Sequence, residues 1–296
     1  MRAADFFEFA RKRHAIYLNR TAGHPEPWGN EDPILRTYRF TNVFRELDRT
    51  TLWYREHVRS NLETASEQTQ VMGTILFRTL NRIQTGEVIF NQERLGDDKT
   101  PVAWAYLAGD MSIGELEAYM RAHCPAPWVT GAYIVKTPDG MDKLAGALWI
   151  VEEARKRVPA TLLERPPESG LQWLHRALQS YPYIGGFTGY EIVSDLRHLP
   201  ILRKAQDITG PLGWAHAGPG AVRGLNRVMG NQLRSGMSQS VALHLMRQLL
   251  EASRDPKHWP SGWPVWEMRE VEHTLCEFDK YERVRLGEGT PRGRFR

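Results

Sequence analysis

The chain has 296 residues, 41% of them hydrophobic and 25% charged. That is an ordinary globular composition, long enough for one large or two ordinary domains around a sizeable core. With only Cys124 and Cys276, a disulfide framework, a four-cysteine zinc site and a four-thiolate iron–sulfur cluster are excluded; two distant thiols fit a reducing cytosol. The net charge of +4 says little, but its distribution says more: between Arg197 and Leu250 seven basic residues accompany a single acid, Asp207. A local excess larger than that of the whole chain suits a polyanionic partner. No apolar run is long enough to cross a membrane, so no membrane partner is expected. The charged, amphipathic N-terminus lacks the apolar core of a secretory signal.

The dominant periodicity is helical. Phe6, Phe7, Phe9, Ala10, Ala15 and Ile16 line one side of a first helix whose basic face carries Arg11, Lys12 and Arg13. A turn-rich loop from Gly23 to Pro33 leads into a second helical stretch over about 35–58, and a third is predicted over 64–83. Ser112 and Glu115 form a capping-box pattern that opens a helix ending near His123, before Pro125. Residues 128–137 are the best candidate for a strand, although a short one. Helix returns over 142–158, a connection follows at 163–169, and further helices are expected near 171–181, 187–197, 219–229, 238–253 and 266–279. The class is mostly α.

The sharpest local pattern lies between Leu178 and Ile192, where one helix ends near Pro182 and another begins just after Gly185 and Gly186. Glycines there permit positive φ and leave backbone N–H groups facing a possible phosphate. The pattern resembles the helix-hairpin-helix of DNA glycosylases, with Pro182, Ile184, Gly185 and Thr188 matching and Tyr183 and Gly189 departing; an ordinary helix–turn–helix corner is the alternative. Phe187 occupies the place of the lysine that forms a Schiff base in glycosylase-lyases, which excludes amine catalysis from that position. The superfamily also carries a catalytic Asp a short distance beyond the hairpin, and Asp207 lies near that spacing. A carboxylate amid cations is expected to stay ionised and suits a general base or an electrostatic stabiliser; a surface ion pair or a helix cap is the alternative.

Three further constellations carry charge. Gly218-Pro219-Gly220 opens a helix with Arg223 and Arg227 in its first turns, and a helix N-terminus with an arginine fork makes an anion cradle; His216, just before it, is a proton carrier or a packed imidazole. If residues 35–58 form one helix, Arg39, Asn42, Arg45 and Arg49 line one side of it with Asp48 nearby, either to grip a pyrophosphate or a DNA backbone or as a solvated, salt-bridged surface. Glu272, His273, Cys276 and Glu277 share a side of the last helix, yet no second ligand pair supports zinc. Lys280 and the arginine-rich tail that follows fit phosphate contacts.

Taken together these blocks resemble the α-glutamyl/putrescinyl thymine pyrophosphorylases of bacteriophages, which include phage amino acid:DNA transferases and share a helical domain with 5-hydroxymethyluracil DNA kinases. The resemblance runs in order through Pro27-Trp28, Asp32-Pro33-Ile34-Leu35, Arg39-Phe40-Thr41-Asn42-Val43 with Arg45, Asp48-Arg49, Phe187-Thr188, Asp195-Leu196, Gly218-Pro219-Gly220-Ala221 with Arg223-Gly224-Leu225, and Glu272-His273 with Leu275-Cys276-Glu277-Phe278 and Lys280-Tyr281. Where the family often shows Pro-Trp-Thr, this chain has Gly29.

The resemblance implies a single glycosylase-like helical domain over 1–296 in two lobes, with the hairpin at about 171–197, an arginine block at 27–59 and a basic tail at 280–296. It implies an enzyme that replaces the pyrophosphate of an activated 5-hydroxymethyluracil base in DNA with an amino acid or polyamine, on a base flipped out of the stack, in the cytoplasm of an infected host. It acts without a cofactor or metal. No phosphate loop of the form Gly-x-x-x-x-Gly-Lys-Ser/Thr occurs, so a separate kinase supplies the phosphorylated base. Asp207, Arg45 and Asp48 then become catalytic candidates. Arg39, Asn42, Arg49, Trp28, Asp32, His216, Arg223, Glu272 and His273 fall to substrate and pyrophosphate. Tyr183, Gly185, Gly186, Thr188, Gly218, Gly220, Arg227 and Lys280 fall to DNA. A monofunctional DNA glycosylase and a non-catalytic DNA-binding module are the rival readings.

Overall fold

A computed structural model of the protein describes residues 2–91, 100–209, 213–291 and 293–294. In chain order its helices are α1 (Ala3–Thr21), α2 (Pro33–Thr37), α3 (Arg49–Tyr54), α4 (Ser60–Leu62), α5 (Glu67–Leu80), α6 (Ile83–Gly86), α7 (Val102–Ala108) and α8 (Ile113–His123). They continue as α9 (Lys143–Leu163), α10 (Leu171–Leu178), α11 (Gly186–Leu196), α12 (Gln206–Thr209), α13 (Pro219–Met229), α14 (Gln239–Ala252) and α15 (Met268–Arg285). A 3-10 turn spans Arg45–Leu47 and a π turn joins α3 to α4. The fold is all-α: among the described residues the only extended pairing is one antiparallel bridge between Tyr38 and Arg294. No helix among them is long and apolar enough to cross a membrane. The chain divides into two compact units, one made of Met1–Asp48 with Asp207–Arg296 and one of Arg49–Gln206.

In the discontinuous unit, α1 buries Phe6, Phe7, Phe9 and Ala10. Phe6 meets Trp266 and Phe278 edge-on, with centroids 5.8 and 5.7 Å apart. The tightest packing is between α13 and α15. A Cβ on Gly224 would lie 2.2 Å from the Leu275 carbonyl oxygen, and one on Gly220 would lie 2.3 Å from Cys276 Sγ. Only glycine permits an approach that close.

The expected continuous helix over 35–58 does not form. Asp32 caps α2 by accepting from the Ile34 and Leu35 N–H groups, and Pro33 starts it, but the chain turns extended at Tyr38 (φ −112°, ψ 145°). The cause is competition for backbone groups. The Thr41 N–H donates to Glu277 at 3.0 Å and the Asn42 N–H to Asp48 at 2.9 Å, so groups that a helix satisfies internally are satisfied from outside. Arg39, Asn42 and Arg45 therefore share no helix face, and Arg49 opens α3.

In the continuous unit, Ser66 caps α5, which is buried from Gln70 to Leu80. Arg78 near its end grips Asp195 of α11 with two guanidinium nitrogens, and both side chains are buried. The Ser112–Glu115 capping box is present, and Asp142 caps α9. The strand expected at 128–137 is absent. That segment instead runs irregularly past the C-terminal end of α5, where the Thr130 N–H takes the Leu80 carbonyl at 2.8 Å and the Tyr133 hydroxyl takes that of Arg78 at 2.6 Å. The last carbonyls of a helix have no partner within it, and this segment supplies one. In the hairpin, α10 ends at Leu178, and the left-handed residue is Tyr183 (φ 62°) while Gly185 sits at φ −85°.

His14 on α1 is 1% exposed. It is surrounded by the rings of Phe44, Trp259 and Trp263. Burial, with Arg13 beside it, pulls its pKa down to about 4. A histidine held neutral in the fold but free to protonate when unfolded gives stability that is full above pH 6.5 and falls as the pH drops toward 4. Urea titrations across this window are expected to show a loss approaching about 3 kcal/mol, absent in His14→Phe. Parallel pH profiles for the two proteins would refute this origin.

Candidate functional site

Most of the sequence-predicted site residues lie in the discontinuous unit, where residues 27–48 are tied to α13 and α15. Arg45 forms an ion pair with Asp48, and its terminal nitrogen lies 3.4 Å from His273 Nδ1. That same Nδ1 is 3.3 Å from Glu272 Oε2, whose other oxygen accepts the Gly218 N–H at 3.1 Å. Asp48, Arg45, His273, Glu272 and the start of α13 thus form one polar chain. Nδ1 donates to Glu272 in one tautomer and accepts from Arg45 in the other, so the row has alternative proton positions. Arg45 and Asp48 remain partly exposed, whereas Glu272 and His273 are buried.

A second cluster centres on Asp279, whose side chain is 1% exposed. It accepts from Arg223 Nε and Arg227 Nε, each at 2.8 Å. Arg227 also pairs with Glu288 and is buried. Arg223 keeps 37% of its side chain exposed, so its guanidinium is oriented by Asp279 yet open to solvent.

Several predicted residues have structural employment instead. The Asn42 amide accepts from Arg13 at 2.7 Å and donates to the Leu47 carbonyl at 2.7 Å, which uses both its ends inside the protein. Asp32 caps α2 and accepts the Tyr281 hydroxyl at 2.6 Å. Gly220 and the glycine that follows one turn later serve helix packing, and the Gly218 N–H holds a carboxylate of the protein itself. Lys280 pairs with Glu277 at 2.6 Å and donates to the Arg39 carbonyl at 3.1 Å. Arg39 is exposed, and its N–H is bound to the Gly293 carbonyl.

Trp28, at φ 58°, lines an open 470 Å³ cleft with Lys12, Asn30 and Asp32. His216 is half-buried beside Ala217, whose backbone is held by Gln239. Asp207 lies on the short α12, half-buried, with its carbonyl taken by the Trp214 N–H. In the other unit Tyr183 is exposed, Gly185 and Gly186 begin α11, and Thr188 is half-buried. Tail residues Arg292 and Arg296 lie outside the described residues. Among the described residues no group of three or more His, Cys, Asp or Glu side chains is arranged to hold a metal. Burial raises both thiols, to about 11 for Cys124 and about 12 for Cys276, far from the range of a reactive thiolate.

Sequence reasoning gave no role to Arg13 and missed Asp279, and it read Glu277 only as a possible metal ligand and a motif residue, whereas the structure uses it to hold the Thr41 N–H. Arg13 was one of three basic residues on a helix face, indistinguishable from its neighbours. Asp279 stood between two motif residues, and only its place opposite Arg223 and Arg227 reveals it.

Residues 2–290 match the family described as "5-hmdU DNA kinase, helical domain". A protein of Bacillus phage SP10 named "5-hmdU DNA kinase" is 24% identical over 295 residues. The match covers 93% of this chain and 44% of the phage protein, so the chain spans less than half the length of that relative. No solved structure matches.

Breaking a buried ion pair from one side leaves an uncompensated charge. Asp279→Asn is therefore expected to lower unfolding free energy by about 3 kcal/mol in urea titrations, with little change between low and high salt. A loss below about 0.5 kcal/mol, the scale of a surface pair, would show that Arg227 finds other compensation.

Proposed function

The chain belongs to the family of 5-hmdU DNA kinase helical domains, and from that premise we propose that it is a DNA-modifying transferase acting on an activated 5-hydroxymethyluracil base. The carbon–oxygen bond to the pyrophosphate breaks and its electron pair leaves with the pyrophosphate. The nitrogen of an amino acid or polyamine then forms the new bond to the same methylene carbon, and its surplus proton passes to a carboxylate. The reading rests chiefly on one observation: Arg45, paired with Asp48, continues through His273 to Glu272, so cation, imidazole and carboxylates form one polar row.

Each step asks something of this chain. Departure of pyrophosphate calls for cations at the leaving oxygens; Arg45 and Arg223 are assigned here because each is oriented by a carboxylate and still reaches solvent. Arg39 and Arg49, both exposed, serve the outer phosphate or the DNA backbone. An amine attacks only when neutral, so a carboxylate base is needed, and Asp207 is assigned that role. Tyr183, Gly185, Gly186 and Thr188 are assigned to the DNA backbone.

A second reading is favoured by the phage relative, which is named for a kinase and is more than twice as long as the match. On that reading the helical part presents hydroxymethylated DNA to a kinase and performs no chemistry.

The deciding experiment is nucleoside mass analysis of DNA carrying 5-(pyrophosphoryloxymethyl)uracil after incubation with the protein and a pool of amino acids and polyamines. An amine-substituted thymidine with released pyrophosphate is expected. Abasic sites would make the protein a glycosylase, and untouched DNA would favour the presenting role. Asp207→Asn is expected to reduce transfer at least about 100-fold while DNA binding persists, the scale of a lost general base. Arg45→Ala is expected to affect the activated base more than unmodified DNA; equal losses on both would make Arg45 a backbone contact.

A further inference from the structure

The continuous unit carries an exposed aromatic cluster that the transfer chemistry does not use. Phe187, in the first turn of α11, is 47% exposed, and Ile134 is 75% exposed. Tyr133 meets Phe187 edge-on with centroids 5.2 Å apart. On the other side of the hairpin turn, Tyr183 is 46% exposed and rests edge-on against Trp149 at 5.8 Å. Isolated apolar residues on a surface need no explanation, but a grouped set marks a contact site.

This cluster is held rigidly. The Tyr133 hydroxyl donates to the Arg78 carbonyl at 2.6 Å. Arg78 is itself clamped to Asp195, which lies on α11 two turns beyond Phe187. A closed loop of contacts runs from Phe187 through Tyr133 and Arg78 to Asp195 and back along the same helix. The Tyr133 ring is anchored by its hydroxyl and Phe187 meets it edge-on from a helix, so a ligand that stacks there pays less to order them.

The charge around the cluster selects the ligand. Residues 126–138 and 170–190 contain no Asp or Glu, and they carry Lys136 and Arg176 on exposed positions. The start of α11 adds the positive end of a helix without a side-chain cap. The nearest carboxylates on α11, Glu191 and Asp195, are buried, so the exposed aromatic faces with Lys136 and Arg176 nearby in sequence suit the flat base and anionic backbone of a single nucleic-acid strand.

We infer that the Phe187–Tyr133 pair is a stacking platform for one unpaired nucleobase, with Ile134 as the apolar wedge beside it. This rests on the reading of the protein as a DNA-modifying enzyme, and it adds a contact to an unpaired base of the strand that is separate from the groups assigned to the transfer chemistry. Phe187 is the residue that touches the base; Tyr133 is a positioning residue.

The test uses the full chain and a thymidine-rich single-stranded oligonucleotide carrying one 2-aminopurine, whose fluorescence is quenched on stacking. The wild-type protein is expected to quench the probe. Phe187→Leu is expected to abolish quenching and weaken binding about tenfold, the scale of one lost base stack, while thermal unfolding stays unchanged. Phe187→Trp is expected to keep both, and serves as the readout if the leucine variant fails to fold. Equal quenching and affinity for Phe187→Leu, or loss of both in Phe187→Trp, would overturn the platform; a surface built for an apolar protein partner tolerates leucine. Quenching without any amine transfer keeps the platform and sinks the transferase, whereas transfer without quenching does the reverse.

Discussion

The close crossing of α13 and α15 is the constraint on which the discontinuous unit depends. Gly220 and Gly224 are one turn apart, and a methyl group at either would overlap Cys276 or the Leu275 backbone. That approach brings the Gly218 N–H to Glu272 and brings Arg223 and Arg227 to Asp279. Both polar clusters therefore follow from one packing contact. Glycine gives up the helical stability that alanine would supply, of order 1 kcal/mol per position, and returns a contact that larger residues would forbid. The carboxylate beneath each arginine then fixes guanidiniums that would otherwise be mobile.

The continuous unit rests on a different contact, the buried pair of Arg78 and Asp195. Neither side chain reaches water, so each is stable only because the other is present. The pair ties the end of α5 to α11, and the Arg78 carbonyl then positions Tyr133. One ion pair thus connects the core to an exposed surface feature. An apolar pair of equal volume would hold the helices together, but it would not fix their register so narrowly.

Much of this was readable from residue order alone. The helical periodicity of α1, the capping box of α8, the start of α13 and the length of α14 appear where amphipathic spacing and caps place them, because these are local effects. The stretch over 35–58 misled, since its apolar spacing is helical while, besides the local Asp48, the groups that unwind it, Glu277 and the Tyr38–Arg294 bridge, come from more than 200 residues away. The segment 128–137 misled for a related reason. Its aromatic and β-branched residues suit a strand, but no neighbouring strand exists among the described residues, and its backbone serves the end of α5. At Tyr183 the chain adopts the left-handed conformation expected of the nearby glycines. Reading glycine as a marker of positive φ found the turn and missed the residue.

The candidate site poses a sharper question: why its cations are already paired. A guanidinium free in solvent would bind any phosphate, including every unmodified position along DNA. Arg45 and Arg223 each face a carboxylate of the protein, which orients them and removes part of their pull on a ground-state anion. Under the proposed chemistry the leaving pyrophosphate gains negative charge as its bond to carbon breaks. A cation already held in place meets that late increase without reorganising, and such differential stabilisation is what accelerates a reaction. On that proposal Asp48 and Asp279 would act on the arginines in two ways, as anchors for their geometry and as competitors for ordinary backbone phosphate.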